Sequence, residues 1–234
     1  MNIEINPGKV LTLLLCIVAF LLFANIMGIV SRIFFDHDHV YGLVDLFDFD
    51  NENNIPTLYS SILLVISSMI LLYVSQMHRK LHEPYLLWVV LSFVFLFLSV
   101  DEASSIHEKL SSPTRVLLDT SGFFYYAWII PYGIAVIIFV ALYLNFLLKL
   151  PKYIMMSFLL SGGIYVLGAV GFEMLGGWQD ELYGDKGLLY SIFYTCEEFL
   201  EMLGVAVFIY ALLKYILNQK QFIKITLIEF NRAI

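Results

Sequence analysis

Six apolar stretches, each long enough to cross a lipid bilayer, dominate this sequence. A spanning helix needs about 20 mostly apolar residues. Six segments meet that length: 10–34, 57–77, 85–106, 122–148, 153–177 and 187–217. Because lipid cannot satisfy unpaired backbone N–H and C=O groups, each stretch is expected to be helical. The sequence therefore predicts an all-α membrane protein, in which residues 1–234 form one bundle of about six transmembrane helices.

The low content of charged residues supports the same class. Only 14% of the 234 residues are charged, whereas a soluble domain carries roughly 25%. The net charge of −7 argues against a nucleic-acid partner, which requires clustered Lys and Arg. We therefore expect the lipid bilayer to be the main partner, and a homo-oligomer or a partner membrane subunit stays open. Cys16 and Cys196 lie inside apolar runs, which indicates core residues rather than a disulfide.

The basic residues predict an orientation. Nine of the thirteen fall near the termini or in the connections after the second and fourth stretches: Lys9, Arg79, Lys80, Lys149, Lys152, Lys214, Lys220, Lys224 and Arg232. By the positive-inside rule this side is cytoplasmic. We therefore predict a multi-pass protein of the cell (inner) membrane with both termini in the cytoplasm. Most acids fall on the outer side, either as solvated loops or as a face that attracts cations.

Ionisable residues within or at the ends of three apolar stretches form the candidate site. Those residues are Asp101, Glu102, His107, Glu108, Glu173, Glu197, Glu198 and Glu201. At helical spacing, Asp101, His107 and Glu108 share one face, and Glu102 points to the opposite side. In the last stretch, acids three and four positions apart also share a face. All three groups lie toward the outer half of the membrane, so ligands from three helices could meet at one level.

Such acids need a partner, because an unpaired carboxylate in hydrocarbon costs several kcal/mol. No Lys or Arg occurs at comparable depth in the six stretches. Carboxylates and histidines from several helices build the dinuclear iron and manganese sites of helix bundles, and such donors suit zinc, iron or manganese. The leading prediction is an outward-facing site for one of these divalent metals, as in a small membrane metalloenzyme, although the sequence identifies no reaction or catalytic residue. The predicted ligands are Asp101, His107, Glu108, Glu173, Glu197 and Glu201, with Glu198 as an alternate.

Two other functions fit the same residues. A proton- or cation-coupled transporter or channel would use the acids as a relay, because intramembrane acids mark ion routes. It would also need a polar route to the cytoplasm. A non-catalytic accessory or sensor subunit would pair them with a basic helix of a partner. A structural interpretation places Glu197 and Glu198 at headgroup depth, where water solvates them.

Three further features carry weaker signals. In the longest connection, residues 35–56, Asp48, Asp50 and Glu52 alternate like a calcium loop. The glycine that such a loop needs at its sixth position is missing, so we interpret the segment as a solvated acidic loop. His78 is interpreted as part of the cytoplasmic basic patch. Small residues let membrane helices approach closely, and Pro131 and Gly133 predict a kink in the fourth helix. The glycines that predict close packing of the fifth helix are Gly162, Gly163, Gly168 and Gly171.

Overall fold

The computed structural model describes residues 6–233, with side chains described as far as residue 219. All regular structure in that range is helical. Nine α-helices are joined by one short 3-10 helix and one π-helix. In chain order they are α1 (Pro7–Phe35), α2 (Leu43–Phe47), α3 (Ile55–Lys80), α4 (Leu86–Ser104), α5 (Ile106–Leu118), the 3-10 helix (Gly122–Phe124), α6 (Ile129–Lys149), α7 (Lys152–Val166), the π-helix (Leu167–Phe172), α8 (Glu173–Tyr183) and α9 (Leu188–Ala233).

Six helices in the described range are long and apolar enough to cross a membrane. They are α1, α3, α4, α6, the continuous helix Lys152–Tyr183, and the Leu188–Gln219 part of α9. The predicted all-helical class and the six candidate spans are therefore confirmed. The orientation of the termini stays a prediction, and residues 1–5 and 234 lie outside the described range.

Local sequence explains where two of these helices begin. The Asn6 side chain accepts hydrogen bonds from the backbone N–H groups of Gly8 and Lys9, and a proline opens α1. Asn54 accepts from the backbone N–H of Thr57 at the start of α3. These side chains satisfy donors that have no partner within the helix. Proline fits the first turn because its missing N–H would be unpaired there in any case.

The predicted fourth helix begins too early, and its predicted kink is wrong. Residues Gly122–Phe124 form a separate 3-10 helix, and α6 starts only at Ile129. Pro131 therefore lies in the first turn of α6, where it removes no helical hydrogen bond. The helix needs no kink to accommodate it.

The spanning helices differ in the share of their residues that is buried inside the protein. In the most apolar window of the last span, 61% of residues are buried inside the protein, whereas α6 buries only 11%. The α9 helix is therefore central, and α6 lies at the periphery. Buried apolar side chains fill the middle of the bundle, including Leu63, Leu71, Ile209 and Leu212.

Serines at seven-residue spacing join α3 to α4. The Ser61 hydroxyl lies 2.9 Å from both the Ser99 carbonyl oxygen and the Ser99 hydroxyl. Seven residues further along α3, the Ser68 and Ser92 hydroxyls are 2.9 Å apart. Small side chains that hydrogen-bond across helices are a common means of close packing in membranes.

We expect Ser92→Leu to lower the free energy of unfolding by about 1–3 kcal/mol, because a bulky side chain there forces α3 and α4 apart. Thermal unfolding of the detergent-purified protein, followed by circular dichroism, measures the change. Ser157→Leu is the matched control, because Ser157 is only half-buried and its hydroxyl donates to the Tyr153 carbonyl oxygen of its own helix. Equal melting temperatures for the two variants would contradict the packing described here.

His78 is not part of a solvated basic patch, which corrects the interpretation from sequence. Its side chain lies at the end of α3 and is 8% exposed. Its Nε2 atom lies 2.8 Å from the Tyr215 hydroxyl, and its Nδ1 atom lies 2.7 Å from Glu83 Oε2. The ring also stacks on Trp88. His78 therefore connects α3 to α9 at the end of the bundle where α3 finishes and α4 begins.

Candidate metal centre

The candidate site lies at one end of the bundle, which we call the acidic end. There α1, α4 and α8 finish, and α3, α6 and α9 begin. Side-chain contacts join these helix ends: Arg32 reaches Tyr194 at 2.7 Å, and Trp128 reaches Glu173 at 2.9 Å. Residues separated by more than a hundred positions therefore meet in one region.

The break between α4 and α5 shapes this region. Ser105 adopts a left-handed backbone conformation with φ of 51°, so the chain does not continue as one helix from Asp101 to Glu108. The prediction that these residues share one face of a single helix is therefore wrong. Instead, Asp101 Oδ1 accepts a hydrogen bond of 2.9 Å from the backbone N–H of His107. This bond satisfies a free donor in the first turn of α5.

Asp101 also holds the imidazole of His107. Its Oδ2 atom lies 3.4 Å from His107 Nδ1, and the ring packs 4.6 Å from the Trp128 ring, centroid to centroid. Burial lowers the pKa of His107, but the hydrogen bond and charge of Asp101, together with Glu173 and Glu201, outweigh it and raise the pKa to about 9. The ring is thus fixed between a carboxylate and an indole.

Glu52, His107 and Glu108 form the group best suited to hold a metal. One donor atom from each lies within 4.8 Å of the other two. Glu52 and His107 are half-buried, and Glu108 is exposed. Burial and the nearby charge of Glu108 raise the pKa of Glu52 to about 7. We refer to these three residues as the three-donor group.

Glu52 reaches this group because the segment between α1 and α3 is packed against the bundle. Asp48 is buried and accepts a hydrogen bond of 2.8 Å from Arg32. The Asn25 side chain accepts from the backbone N–H of Phe49 at 3.0 Å, and Tyr190 donates to Asp50 at 2.9 Å. The interpretation of the segment as a solvated acidic loop is therefore wrong at Asp48, which is buried, whereas residues 36–41 are exposed. Asp48 and Asp50 serve as anchors that place Glu52.

Five further carboxyl groups of this region lie within the candidate spans, unlike the three-donor group. We call them the inner carboxyl cluster: Glu102, Glu173, Glu197, Glu198 and Glu201. Glu173 and Glu197 hydrogen-bond each other, and Glu173 also accepts from Trp128 Nε1 at 2.9 Å. Two carboxyl groups can share a hydrogen bond only if one of them carries a proton. This pair therefore links α8 to α9.

The other three inner acids are close electrostatic neighbours. Glu201 is buried and hydrogen-bonds Tyr165, and Glu102 interacts with both Glu198 and Glu201. Glu102 therefore lies in the cluster, not on the opposite side as its helical position predicted. In the part of the chain whose side chains are described, none of the five forms an ion pair with Lys or Arg.

A π-helix and two glycines bring these acids together. The π-helix Leu167–Phe172 directly precedes Glu173, and such segments are frequent at functional sites. A Cβ atom on Gly168 would lie 2.6 Å from the Glu197 carbonyl oxygen, and one on Gly204 would lie 2.9 Å from the Ser161 carbonyl oxygen. The fifth and sixth spans can approach this closely only because both positions are glycine. The predicted close packing of the fifth helix is confirmed at Gly168, whereas Gly162 and Gly163 face open space.

The structure separates the six predicted ligands by position. His107 and Glu108 belong to the three-donor group, and Asp101 lies behind His107. The remaining predictions, Glu173, Glu197 and Glu201, belong to the inner carboxyl cluster, and their binding of a metal stays a prediction. Sequence reasoning missed Glu52. The signal that could have found it is the mixture of acids with Val, Leu and Phe in its segment, which indicates packing rather than solvation.

Comparisons with known proteins identify a family. A family model described as "Domain of unknown function (DUF8692)" matches residues 9–215. The chain belongs to the DUF8692 family. No curated protein and no solved structure matches it. The DUF8692 region contains the three-donor group, Asp101 and the whole inner carboxyl cluster, so the candidate site lies within the family's own domain.

We expect Asp101→Asn to lower the pKa of His107 from about 9 to roughly its ordinary value near 6.5 or below. The reason is that burial disfavours the charged imidazole once the adjacent negative charge is gone. A histidine NMR titration of the chelator-treated protein measures this change. Asp45→Asn, beside the exposed His39, is the control and should leave His107 unchanged. An unaltered His107 titration in Asp101→Asn would contradict the assigned pairing.

Proposed function

We propose that this DUF8692 protein binds a divalent transition metal at the acidic end through Glu52, His107 and Glu108. The observation that carries the proposal is the approach of their three donor atoms to within 4.8 Å of one another. Two carboxylates and one imidazole form a donor set that suits zinc, iron or manganese. Three protein ligands also leave positions for water or a substrate, as catalytic metal sites require.

Asp101 supports the proposal as a positioning residue. Metal-binding histidines commonly donate their second ring N–H to a carboxylate, which fixes the ring and its tautomer. Asp101 lies 3.4 Å from His107 Nδ1, so Nε2 is the atom left to bind a metal. This arrangement changes the predicted role of Asp101 from ligand to support of a ligand.

The inner carboxyl cluster supports a chemical role beyond binding. A divalent metal at the three-donor group would supply Lewis-acid activation of water or of a substrate oxygen. The hydrogen-bonded pair of Glu173 and Glu197 would serve beside it as a proton donor and acceptor, a task suited to carboxyl groups in a shielded site. We therefore propose a small membrane metalloenzyme whose site opens toward the non-cytoplasmic side. The positive-inside distribution of Lys and Arg supports that orientation.

The buried residues in the middle of the bundle favour metal binding at the acidic end over transport of an ion through the bundle. A proton or cation pathway needs polar groups along its length. In the described part of the chain, the layers between the acidic end and His78 contain buried apolar residues such as Leu64, Val205 and Leu212. The buried polar residues of α3 and α4 in those layers are uncharged serines such as Ser68 and Ser92. The metal-binding proposal requires no such pathway.

The proposal is tested by elemental analysis of detergent-purified protein after loading with Zn²⁺ or Mn²⁺ and removal of excess metal. We compare the wild type with the double variant Glu52→Gln/Glu108→Gln. The matched control is Asp36→Asn/Asp38→Asn, which removes two charges from exposed acids in the segment after α1. Because each substitution keeps the size of the side chain, we expect all the variants to fold. Gel filtration checks that each elutes as a single species.

We expect near-stoichiometric metal in the wild type and in the control, and loss of at least one equivalent in Glu52→Gln/Glu108→Gln. A metal-free wild type that elutes as a single species would contradict the proposal. Equal metal content in the two double variants would contradict the choice of ligands.

A further inference from the structure

The short helix α5 has an apolar surface that nothing in the protein covers. Val116, Leu117 and Leu118, at its C-terminal end, are 86%, 81% and 50% exposed. They lie outside the six candidate spans, in a connection that would otherwise be expected to contact water. Contiguous exposed apolar residues of this kind mark a surface that binds something.

Polar contacts hold α5 to the chain segments that precede and follow it. Arg115 Nε donates to the Tyr125 carbonyl oxygen at 2.8 Å, and its guanidinium lies 3.8 Å above the Tyr125 ring. Lys109 Nζ donates to the Ser104 carbonyl oxygen at 2.7 Å, and Ser111 is buried. With these contacts in place, the apolar end of α5 faces away from the bundle. These bonds prevent α5 from rotating to bury its apolar end against the protein.

The apolar end of α5 continues a surface that faces lipid. The spanning helix α4, which precedes α5 by the single residue Ser105, exposes Phe93, Phe97 and Val100. After α5, the 3-10 helix exposes Phe123 and Phe124. Aromatic residues are enriched where a spanning helix meets the membrane surface. The exposed apolar residues therefore lie between a lipid-facing span and an aromatic segment.

From this continuity we propose that α5 is an in-plane interfacial helix, with Val116, Leu117 and Leu118 inserted into the headgroup and acyl boundary of the same bilayer that the six spans cross. Amphipathic helices bind in this way when one face is apolar and the other polar. The occupant of the surface is lipid, not a second copy of the chain or a soluble partner. The inference does not depend on metal binding, although α5 also carries His107 and Glu108 and would hold them at the depth of the headgroups.

Site-directed spin labelling tests the proposal. The background variant Cys16→Ala/Cys196→Ala removes both native thiols, and Leu117→Cys introduces one label site. The labelled protein is reconstituted in vesicles of phosphatidylethanolamine and phosphatidylglycerol. Collisions of the label with oxygen, which concentrates in lipid, are compared with collisions with a water-soluble nickel chelate. Phe97→Cys on α4 gives the lipid reference, and Asp38→Cys, an exposed acid, gives the water reference.

We expect the oxygen-to-nickel accessibility ratio at position 117 to be close to that at position 97 and several-fold above that at position 38. A ratio equal to that at position 38 would overturn the proposal, because the helix end would then lie in water. Dipolar broadening between labels at position 117 would also overturn it, because a second copy would then cover the surface.

Discussion

Replacing His107 with alanine should lower the affinity for Zn²⁺ or Mn²⁺ roughly 100-fold or more, which corresponds to about 2.7 kcal/mol. His107 is the one nitrogen donor of the three-donor group. Loss of a residue that merely supports a ligand typically costs 10- to 100-fold, and loss of the ligand itself should cost at least as much. Isothermal titration of the chelator-treated protein in detergent measures the affinity.

His39→Ala is the matched control for this change. His39 lies at the same end of the molecule, but its side chain is 75% exposed and pairs with Asp45. The control should keep the wild-type affinity. If His107→Ala bound metal as tightly as His39→Ala did, His107 would not be a ligand, and the proposed centre would be wrong.

Replacing Gly168 with alanine should lower the free energy of unfolding by about 3 kcal/mol, near the upper end of the usual cost of overpacking. The added methyl group would lie 2.6 Å from the Glu197 carbonyl oxygen and 3.1 Å from the Leu200 Cβ atom. A backbone oxygen cannot move aside without moving the whole helix, so the fifth span must shift away from α9. Thermal unfolding in detergent measures the loss. The same shift should separate Glu173 from Glu197.

Gly163→Ala separates this packing effect from the general effect of a glycine in a helix. No atom lies within 4 Å of a Cβ built on Gly163, so the added methyl group meets nothing. Alanine is favoured over glycine in a helix by about 1 kcal/mol, and this control should therefore be as stable as the wild type or slightly more stable. A Gly168→Ala protein with the same melting temperature as Gly163→Ala would show that the two helices are not in close contact.

The spanning helices are predictable from the sequence because the bilayer imposes their length and composition. The predicted boundaries 10–34 and 57–77 compare with Pro7–Phe35 and Ile55–Lys80 in the structure. Boundaries outside the apolar core are less predictable. Residues 122–128 are apolar and glycine-containing, and nothing in their hydropathy separates them from the helix that starts at Ile129.

The site was predictable only where an ionisable residue stands against an apolar background. His107, Glu108, Glu173, Glu197 and Glu201 were singled out for that reason, whereas Glu102 was placed on the opposite side of its helix. Glu52 was not singled out, because an acid in an acidic connection carries no such contrast, and its position depends on the long-range bonds of Asp48 and Asp50. The relation of Asp101 to His107 was misjudged for a different reason. It depends on the left-handed conformation of Ser105, which a non-glycine residue rarely adopts.

X-ray absorption spectroscopy of the Zn²⁺-loaded protein tests the proposed metal centre most directly. We predict a first shell of oxygen and nitrogen atoms at about 2.0–2.2 Å, with the outer-shell scattering of one imidazole ring that disappears in His107→Ala. A first shell that contains sulfur, or that lacks imidazole in the wild type, would contradict the assignment of Glu52, His107 and Glu108 as the metal-binding residues.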